Sequence, residues 1–364
     1  MKKKIKFIFS VLISLIFLYL SMKDVQFSKV WESLKKMKYY YIIFVVLISY
    51  LSYVIRTVRW QILLHPLKKT SYSNLFPTLC VSFMLLIILP ARLGEFARAY
   101  LVGVKENISK TGAFSTIVVE RILDGCITVL LFILAVFLSV ESSNILITQI
   151  SPKSEFIQKI FSLFASKTTM PDGKTVINFT LINFIYYVSF FYGGALLFVI
   201  FLKIFGTKMI NFLISVLFFI PEKIKKILSQ FLNSFIIGLN SLSNFKSILF
   251  SLLYSVILWL LIGTMNYIFL LSFGIECRFY IAFIILGFMI LGVMIPAAPG
   301  FIGTYHWVIM LAFKFYLPEV DPNVAASYAW AAWSIGTVFA LAIGFYYFKR
   351  ENLDLKELQN SSNN

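Results

Sequence analysis

Long apolar runs separated by short polar or basic stretches dominate the chain. Six of these runs can cross a bilayer as a helix, since about 20 apolar residues span its hydrocarbon core. They lie at residues 7–21, 40–64, 112–139, 181–202, 247–273 and 324–348. The pattern predicts an all-α fold, a polytopic helical membrane protein with about six full spans.

Two further apolar segments are interrupted near their middle, and each is predicted to form a broken re-entrant hairpin. The first covers residues 75–104 and breaks at Pro90–Gly94, and the second covers residues 280–316 and breaks at Pro296–Gly303. Proline removes a helical donor and glycine loosens the backbone. Backbone N–H and C=O groups that lose their helical partners inside the membrane are tolerated only where other protein groups, or water in a cavity, hydrogen-bond to them.

The distribution of lysine and arginine predicts the orientation. Basic residues crowd the start of the chain, residues 56–69 and residues 203–226, which places these segments and both termini in the cytoplasm and the 141–178 loop outside. The hairpins then enter from opposite faces, a layout that resembles secondary transporters with a site near the midplane. The two halves share no usable sequence identity, so the resemblance is one of layout only. The alternative is that the two breaks are a packing device.

Two stretches are predicted to lie along the membrane surface. Residues 209–240 are too interrupted for a crossing and are typical of amphipathic helices at the interface. The lysine-rich stretch 35–38 falls outside in this topology, and an amphipathic helix with snorkelling lysines would accommodate it. The basic and then apolar start of the chain is interpreted as an uncleaved first span, because no small-residue cleavage site follows residue 20.

Composition supports a membrane protein with little soluble mass. Of the 364 residues, 60% are hydrophobic and 13% charged, and the mean hydropathy is +0.87, whereas a soluble domain is about half apolar and about a quarter charged. A net charge of +17 would suggest nucleic acid in a soluble protein. Here most lysines flank apolar spans, so topology and anionic lipid headgroups explain the excess, and no nucleic-acid partner is expected.

The sequence predicts neither a metal site nor an enzyme. Cys80, Cys126 and Cys277 lie too far apart for a disulfide framework or a thiolate metal site. Two histidines are too few for a metal cluster without carboxylates. No nucleophile–base pair, metal-ligand spacing or phosphate-binding loop occurs, so no catalytic residue, cofactor or metal is expected.

Charged residues inside the 112–139 run are the most informative feature of the chain. Glu120, Arg121 and Asp124 fall within five residues, and each charge at the centre of a membrane helix costs about 2.5–3.5 kcal/mol on insertion scales. Glu120 and Asp124 are four apart and share a helical face. Such a cluster predicts a functional site, and the alternative is a self-neutralising network that locks helices together.

Other charged residues near the membrane extend this cluster into a candidate headgroup cavity. The whole set is Arg56, Arg59, Arg92, Glu95, Arg98, Glu120, Arg121 and Asp124. Five positive charges against three negative suit a phosphate, which a guanidinium binds in a bidentate way. Arg92, Arg98 and Arg121 are predicted to bind phosphate, and the carboxylates to position them or sense protons. Arg56 and Arg59 could instead be ordinary anchors at the cytoplasmic surface.

The break in the second hairpin supplies the remaining candidates. Pro299, Gly300 and Gly303 could expose backbone N–H groups at the start of a half-helix, where the helix dipole favours anions. His306 would face the same cavity if residues 300–316 are helical. A single histidine in an apolar segment is more often a hydrogen-bonded packing residue.

Four motifs occur in a fixed order along the chain. They are Arg56-Thr57-Val58-Arg59-Trp60, Pro90-Ala91-Arg92-Leu93-Gly94-Glu95 with Arg98, Glu120-Arg121 with Asp124, and Pro296 to Gly303. Together they resemble the lysylphosphatidylglycerol synthase transmembrane-region family over about residues 5–350. The resemblance implies a multi-span helical protein with re-entrant segments that moves, or is proposed to move, phospholipid or polyprenyl-phosphate-linked lipids between leaflets.

The resemblance also divides the chain. It implies a flippase-like integral membrane domain over residues 1–350 and a short polar cytoplasmic tail over residues 351–364. We expect the aminoacyl-transferase domain of the family to be absent, and with it lysylphosphatidylglycerol synthesis. Many members carry Gly and Glu where this chain has Phe301 and His306, so an acidic role at that position is not supported.

We therefore predict a lipid flippase or transporter, a multi-pass protein of the cell membrane whose partner is an anionic membrane lipid. The first alternative is a membrane enzyme or accessory factor in polyprenyl-phosphate-linked sugar or envelope glycan metabolism. The second is a structural or partner-binding membrane protein. The sequence leaves open whether the chain forms a homo-oligomer.

Overall fold

A computed structural model of the chain describes residues 2–23, 25–89, 93–142, 245–294 and 298–352, three short strands between residues 148 and 179, and scattered positions between residues 194 and 233. The helical fold class is confirmed. Within the continuous described ranges, the helices are α1 (Lys2–Met22), α2 (Phe27–Lys36), α3 (Tyr41–Leu64), α4 (Tyr72–Ile88), α5 (Leu93–Lys105), α6 (Lys110–Ser142), α7 (Phe245–Ser272), α8 (Phe279–Met294), α9 (Thr304–Tyr316) and α10 (Pro322–Arg350).

Four of the six predicted spans coincide with helices that are long and apolar enough to cross a membrane, namely α3, α6, α7 and α10. Helix α1 covers the predicted 7–21 span, and its residues 11–22 meet the same test together with α2, which is bent by 77° relative to them. The predicted 181–202 span and the amphipathic stretch 209–240 lie outside the continuous described ranges. The described residues thus hold four spans, or five if the bent pair is one span.

A small sheet between α6 and α7 was not predicted. Strands β1 (Thr148–Ile150), β2 (Ser166–Thr169) and β3 (Thr175–Phe179) pair antiparallel in the order β1-β3-β2. The central strand carries threonine, valine and isoleucine, whose branched side chains favour an extended backbone. The segment that the sequence predicted only as a loop therefore has its own secondary structure.

Both predicted hairpins are confirmed. In each of them a glycine lies where the two helices are in closest contact. Helix α5 packs on α4, and α9 packs on α8. A Cβ atom at Gly94 would lie 2.5 Å from the backbone oxygen of Ser82 on α4, and a Cβ atom at Gly292 would lie 2.9 Å from that of Thr304 on α9. Only a residue without a side chain permits such close helix contact.

The two hairpins enter from opposite ends of the helix bundle. The backbone N–H of Lys38, just before α3, donates to the carbonyl oxygen of Ser272 at the end of α7, at 2.8 Å. Helices α3 and α7 therefore run antiparallel, and the hairpins that follow them begin at opposite ends. At the base of the first hairpin, Lys105 Nζ donates to Glu351 at the end of α10, at 2.5 Å.

Helices α3–α6 and α7–α10 form two units with matching contacts. Helix α3 packs along α7, α4 packs on α10, and α6 packs on α8, while the second arm of each hairpin packs on the helix that follows it. We call α3–α6 the first unit and α7–α10 the second unit. Because α3 and α7 are antiparallel, the units form an inverted pair, which is the arrangement predicted from the layout of the breaks.

Helices α1 and α2 pack on the second unit. The backbone N–H of Ala298 donates to Ser14 Oγ at 2.8 Å, and the ring of Phe17 lies 4.7 Å from that of Trp307. Helix α2 buries Val30 and exposes Trp31, so it is the amphipathic helix predicted near the lysines of residues 35–38.

The core of the second unit is aromatic. The ring centroid of the fully buried Tyr328 lies 5.1 Å from that of Phe269 and 5.2 Å from that of Phe313. Its hydroxyl donates to Asn266 Oδ1 at 3.2 Å. Aromatic pairs at this spacing contribute about 0.5–1.5 kcal/mol each beyond the area they bury, and the single polar group among these rings has a partner.

Candidate functional site: a buried arginine–carboxylate network

Seven of the twelve predicted site residues meet in one network in the first unit. Helix α3 contributes Arg56 and Arg59, α5 contributes Glu95 and Arg98, and α6 contributes Glu120, Arg121 and Asp124. Helical positions three and four apart share a face, and these spacings turn the charged side chains of each helix toward the other two.

Arg59 and Asp124 form the centre of the network. The Nη1 and Nη2 atoms of Arg59 donate to the two carboxylate oxygens of Asp124, the second bond measuring 3.0 Å. Arg59 Nη2 also lies 3.1 Å from Glu120 Oε1. Arg59 is 0% exposed, so this fork–fork pair is fully desolvated, and removal of one member would strand the charge of the other.

Arg98 and Glu120 form a second fork. Arg98 Nη1 and Nη2 donate to the two Glu120 oxygens at 3.1 and 3.2 Å. The ring centroid of Trp60 lies 3.8 Å from the guanidinium carbon of Arg98, a distance that permits a cation–π contact. The predicted phosphate role of Arg98 stays a prediction, because both of its terminal nitrogens are occupied by Glu120 in this structure.

Arg121 and Glu95 form the open edge of the network. Their side chains are 32% and 25% exposed, whereas that of Glu120 is 0% exposed. Arg121 Nη2 donates to Glu120 Oε1 at 2.5 Å, and its Nε lies 3.7 Å from Glu95 Oε1. This Nε makes no hydrogen bond to any described residue. A ligand that approaches the network therefore meets Arg121 first.

Arg56 lies deeper and is held differently. It is 8% exposed, and its guanidinium carbon lies 5.4 Å from the ring centroid of Phe83 and 5.7 Å from that of Trp259. Its Nη1 is 3.8 Å from Asp124 Oδ2 and makes no hydrogen bond within the described part of the chain. Arg56 and Arg59 are both buried, so the alternative that they are surface anchors is wrong.

Two residues of α7 complete the network, and sequence reasoning missed both. Arg59 Nη1 donates to Ser255 Oγ at 2.6 Å, and Trp259 Nε1 donates to Asp124 Oδ1 at 2.9 Å. With Ser251 they recur every four residues along a mainly apolar helix, so they share one face. That polar stripe was the available signal, and it shows that the second unit supplies part of the site.

The charge balance of the network favours an anion. In the part of the chain that is described, it holds four guanidinium groups against three carboxylates, which leaves one surplus positive charge if all are ionised. Arg92 and Pro90, predicted at the tip of the first hairpin, lie outside the described residues. The surplus is strengthened by burial, because a low dielectric increases every charge interaction.

The turn in the second hairpin is built around two glycines with positive φ. Pro299–Phe301 forms a short 3-10 turn in which Gly300 has φ 74°, and its carbonyl oxygen accepts from Trp333 Nε1 at 2.7 Å. Gly303 has φ 91° and precedes α9; a Cβ atom there would lie 3.0 Å from the backbone nitrogen of Leu18 on α1. The turn is thus held by α1 and α10.

His306 lies apart from the ionic network. Its Nδ1 accepts from the Gly303 N–H at 3.4 Å, and its ring centroid is 4.0 Å from that of Trp330. No hydrogen bond or ion pair between described residues joins it to the seven charged side chains. His306 therefore occupies the position of a hydrogen-bonded packing residue, the alternative weighed for it, and the anion role of the turn stays a prediction.

The tips of the two hairpins meet. The end of α4 contacts the 3-10 turn, and a Cβ atom built on Gly300 would lie 3.8 Å from a methyl carbon of Ile87. The predicted layout, in which two breaks approach each other inside the bundle, agrees with this contact. Within the described ranges, no group of three or more His, Cys, Asp or Glu side chains could hold a metal ion.

Comparison with known proteins gives one match. The family model described as the lysylphosphatidylglycerol synthase TM region matches residues 7–152 and 156–344. No curated protein and no solved structure matches the chain. The matched residues include the network and both hairpins and cover nearly the whole chain, so the resemblance carried by the four motifs is confirmed.

Proposed function

We propose that this chain, which belongs to the lysylphosphatidylglycerol synthase transmembrane-region family, moves an anionic phospholipid or polyprenyl-phosphate lipid between the leaflets of the cell membrane. The family relates the chain to lipid handling, and its helices make it a multi-pass membrane protein. One observation carries the proposal: a buried ion network with more guanidinium than carboxylate, inside the bundle and open at Arg121.

Lipid transport requires a polar group to enter an apolar bundle, and the network offers such a group a place. A headgroup phosphate that approaches the network meets the Arg121 side chain, which is 32% exposed and lies beside Glu95. Guanidinium and phosphate match in shape and charge, so their hydrogen bonds are short and strong. The surplus positive charge inside then offsets part of the desolvation of the phosphate.

The two forks serve as the framework of this site. Arg59 with Asp124 and Arg98 with Glu120 satisfy each other, so they hold α3, α5 and α6 in a fixed relation and keep Arg121 in place. We propose a carrier rather than an enzyme, because headgroup capture and release need only this arrangement. Arg92 remains a proposed phosphate ligand at the tip of the first hairpin.

Flipping by the purified protein in sealed vesicles tests the proposal. With fluorescent phosphatidylglycerol, Arg121→Gln should slow exchange between leaflets by about tenfold or more, the loss expected for one charge-assisted hydrogen bond. Arg350→Gln, an exposed change at the end of α10, is the matched control and should leave the rate unchanged. Phosphatidylcholine should be moved more slowly than phosphatidylglycerol.

Equal rates for the two lipids, or no effect of Arg121→Gln on a protein that flips, would sink the proposed headgroup selectivity. Cells that lose an envelope glycan while the purified protein shows no flipping would favour the alternative, an accessory role in polyprenyl-phosphate-linked sugar metabolism.

The proposed orientation has both termini on the cytoplasmic side. Lys38 and Lys69 are exposed and lie beyond opposite ends of α3, so they make a matched pair of reporters. With single cysteines at these positions, a membrane-impermeant maleimide should label Lys38→Cys on intact cells and Lys69→Cys only after the cells are opened. The reverse pattern would invert the topology.

A further inference from the structure

Arg56 differs from the other three described guanidinium groups of the network. Arg59, Arg98 and Arg121 each donate a hydrogen bond to a carboxylate oxygen. Arg56 makes none to any described residue, and its contact with a carboxylate there is an ion pair in which Nη1 lies 3.8 Å from Asp124 Oδ2. Of the four guanidinium groups, Arg56 is therefore the one that donates no hydrogen bond to the three carboxylates of the network.

In the described part of the chain, the surroundings of Arg56 are apolar and offer its guanidinium no hydrogen-bond acceptor. Its side chain is nine-tenths buried, between the rings of Phe83 on α4 and Trp259 on α7. The faces of the two rings attract a cation but accept no conventional hydrogen bond from it. A buried charged donor without an acceptor is unfavourable by about 1–3 kcal/mol or more. A buried unsatisfied group in a native structure calls for an explanation, and a bound ligand is one.

We propose that Arg56 and Arg121 together form a subsite for a phosphate oxyanion, in which the phosphate supplies the acceptors that Arg56 lacks. This inference rests on the proposed function and deepens it, because it names the side chains that receive the headgroup inside the bundle. Arg121 is the outer ligand at the exposed edge, and Arg56 is the inner ligand between the aromatic rings.

The position of Asp124 brings the two guanidinium groups within reach of one phosphate. Arg56 Nη1 lies 3.8 Å and Arg121 Nη2 lies 3.6 Å from the same atom, Asp124 Oδ2. The two donors therefore lie near the same carboxylate oxygen, close enough to each other for one phosphate to contact both. The charge of Asp124 is already offset by the Arg59 fork, and Trp259 fixes its other oxygen, so the carboxylate positions the subsite without cancelling it.

The subsite predicts an unusual pattern of stability in the empty protein. Replacing Arg56 with methionine removes a buried cation that has no hydrogen bond, so Arg56→Met should melt at the same temperature as the parent or higher. Replacing Arg59 with methionine strands Asp124, so Arg59→Met should melt lower. A melting temperature for Arg56→Met below that of the parent would show that Arg56 is structural and would overturn the inference.

Binding to the purified full-length protein in detergent provides the direct test. The probes are dioctanoyl phosphatidylglycerol, inorganic phosphate and dioctanoylglycerol, which has the same tails and no phosphate. The parent should bind the first tightly, the second weakly and the third not at all. Arg56→Gln and Arg56→Lys should each lower the affinity for dioctanoyl phosphatidylglycerol by about tenfold or more, because neither side chain reproduces a guanidinium fork. Arg350→Gln, on the exposed end of α10, should bind like the parent.

The outcomes separate the subsite from the proposed function. Parent-like binding of the phospholipid by Arg56→Gln, in a protein that still flips lipid, would overturn the subsite and leave transport standing. Inorganic phosphate that binds as tightly as the phospholipid, and loses affinity in Arg56→Gln, would support the subsite and count against a lipid headgroup as its occupant. Binding of dioctanoylglycerol as tight as that of the phospholipid would overturn the phosphate chemistry.

Discussion

The two units share a helix arrangement but bury different chemistry. Every buried Asp, Glu or Arg of the described residues lies in the first unit, within residues 41–142. In the second unit, the position between the hairpin and its neighbouring helices is filled by Tyr328 and the rings around it, and its most buried polar contacts are neutral. One architecture therefore supports an ionic core on one side and an aromatic core on the other.

This difference indicates a division of labour between the units. An aromatic core is stable by packing alone, whereas buried ion pairs are often no more stabilising than apolar residues of the same volume. The charges of the first unit are thus poorly explained by stability, which agrees with the proposal that they bind a charged ligand. The second unit contributes rigid walls, together with Ser255 and Trp259, which position the charges of its partner.

Removal of one member of a fork should produce the largest loss in the free energy of unfolding. It tests directly the contrast between the ionic core of the first unit and the aromatic core of the second. Arg59→Met leaves the buried Asp124 without its partner, so we expect a loss of about 3–5 kcal/mol in the free energy of unfolding. Denaturant unfolding in detergent micelles provides the measurement. The double variant Arg59→Met/Asp124→Leu should recover most of the loss, because it removes both charges. Full stability of the single variant would show that the fork is not the ionic core described.

The two hairpin glycines should give the next largest effect. A Cβ atom at Gly94 would meet backbone atoms of α4, so Gly94→Ala should cost about 1–3 kcal/mol through overpacking. Gly292→Ala should cost less, because its closest neighbour is a movable methyl group of Val308 and its nearest backbone atom lies at 2.9 Å, whereas that of Gly94 lies at 2.4 Å. Gly336, with nothing within 4 Å of its Cβ position, is the control. Thermal unfolding that ranks Gly292→Ala as the more damaging change would contradict this reading.

A smaller effect is expected at the turn of the second hairpin. Phe301 has φ 59°, a region that glycine enters freely and other residues enter at a cost of about 1–2 kcal/mol. Phe301→Gly and Phe301→Ala both remove the ring, but only glycine relieves the backbone. We therefore expect Phe301→Gly to be the more stable of the two by about that amount, measured by denaturant unfolding. Equal stabilities would mean that the turn is unstrained.

The smallest effect is expected in the aromatic core. Tyr328→Phe keeps the ring and removes the hydrogen bond to Asn266, so it should cost about 0.5–1.5 kcal/mol. Tyr346→Phe, at an exposed position of the same helix, is the control and should leave the melting temperature unchanged. A loss as large as that of Arg59→Met would erase the contrast between the two units.

The sequence predicted the elements well because the membrane imposes strong patterns. Runs of about 20 apolar residues identify spans, and the breaks at Pro90 and Pro296 identified both hairpins. Charges within apolar runs are rare enough to mark a site without knowledge of the fold. Seven of the twelve site residues therefore met as predicted, although the roles of single arginines depend on which carboxylate each one reaches.

The features that the sequence missed depend on contacts between the units. Ser255 and Trp259 lie in a mainly apolar helix whose polar stripe names no partner, and only the packing of α7 along α3 brings them to Arg59 and Asp124. His306 follows Gly303 as predicted, but the orientation of α9 turns it toward Trp330. No local pattern reports which face of one helix meets another.

The two forks also constrain how this chain can change over generations. A substitution of Arg59 alone leaves the buried Asp124 without its bidentate partner, and a substitution of Asp124 alone does the same to Arg59. Each single step should therefore be selected against, even where the double change would be tolerated. In related sequences we expect the positions of Arg59 and Asp124, and those of Arg98 and Glu120, to vary together or not at all. The rings around Tyr328 are not joined by ion pairs, so they can be exchanged one at a time for residues of similar volume.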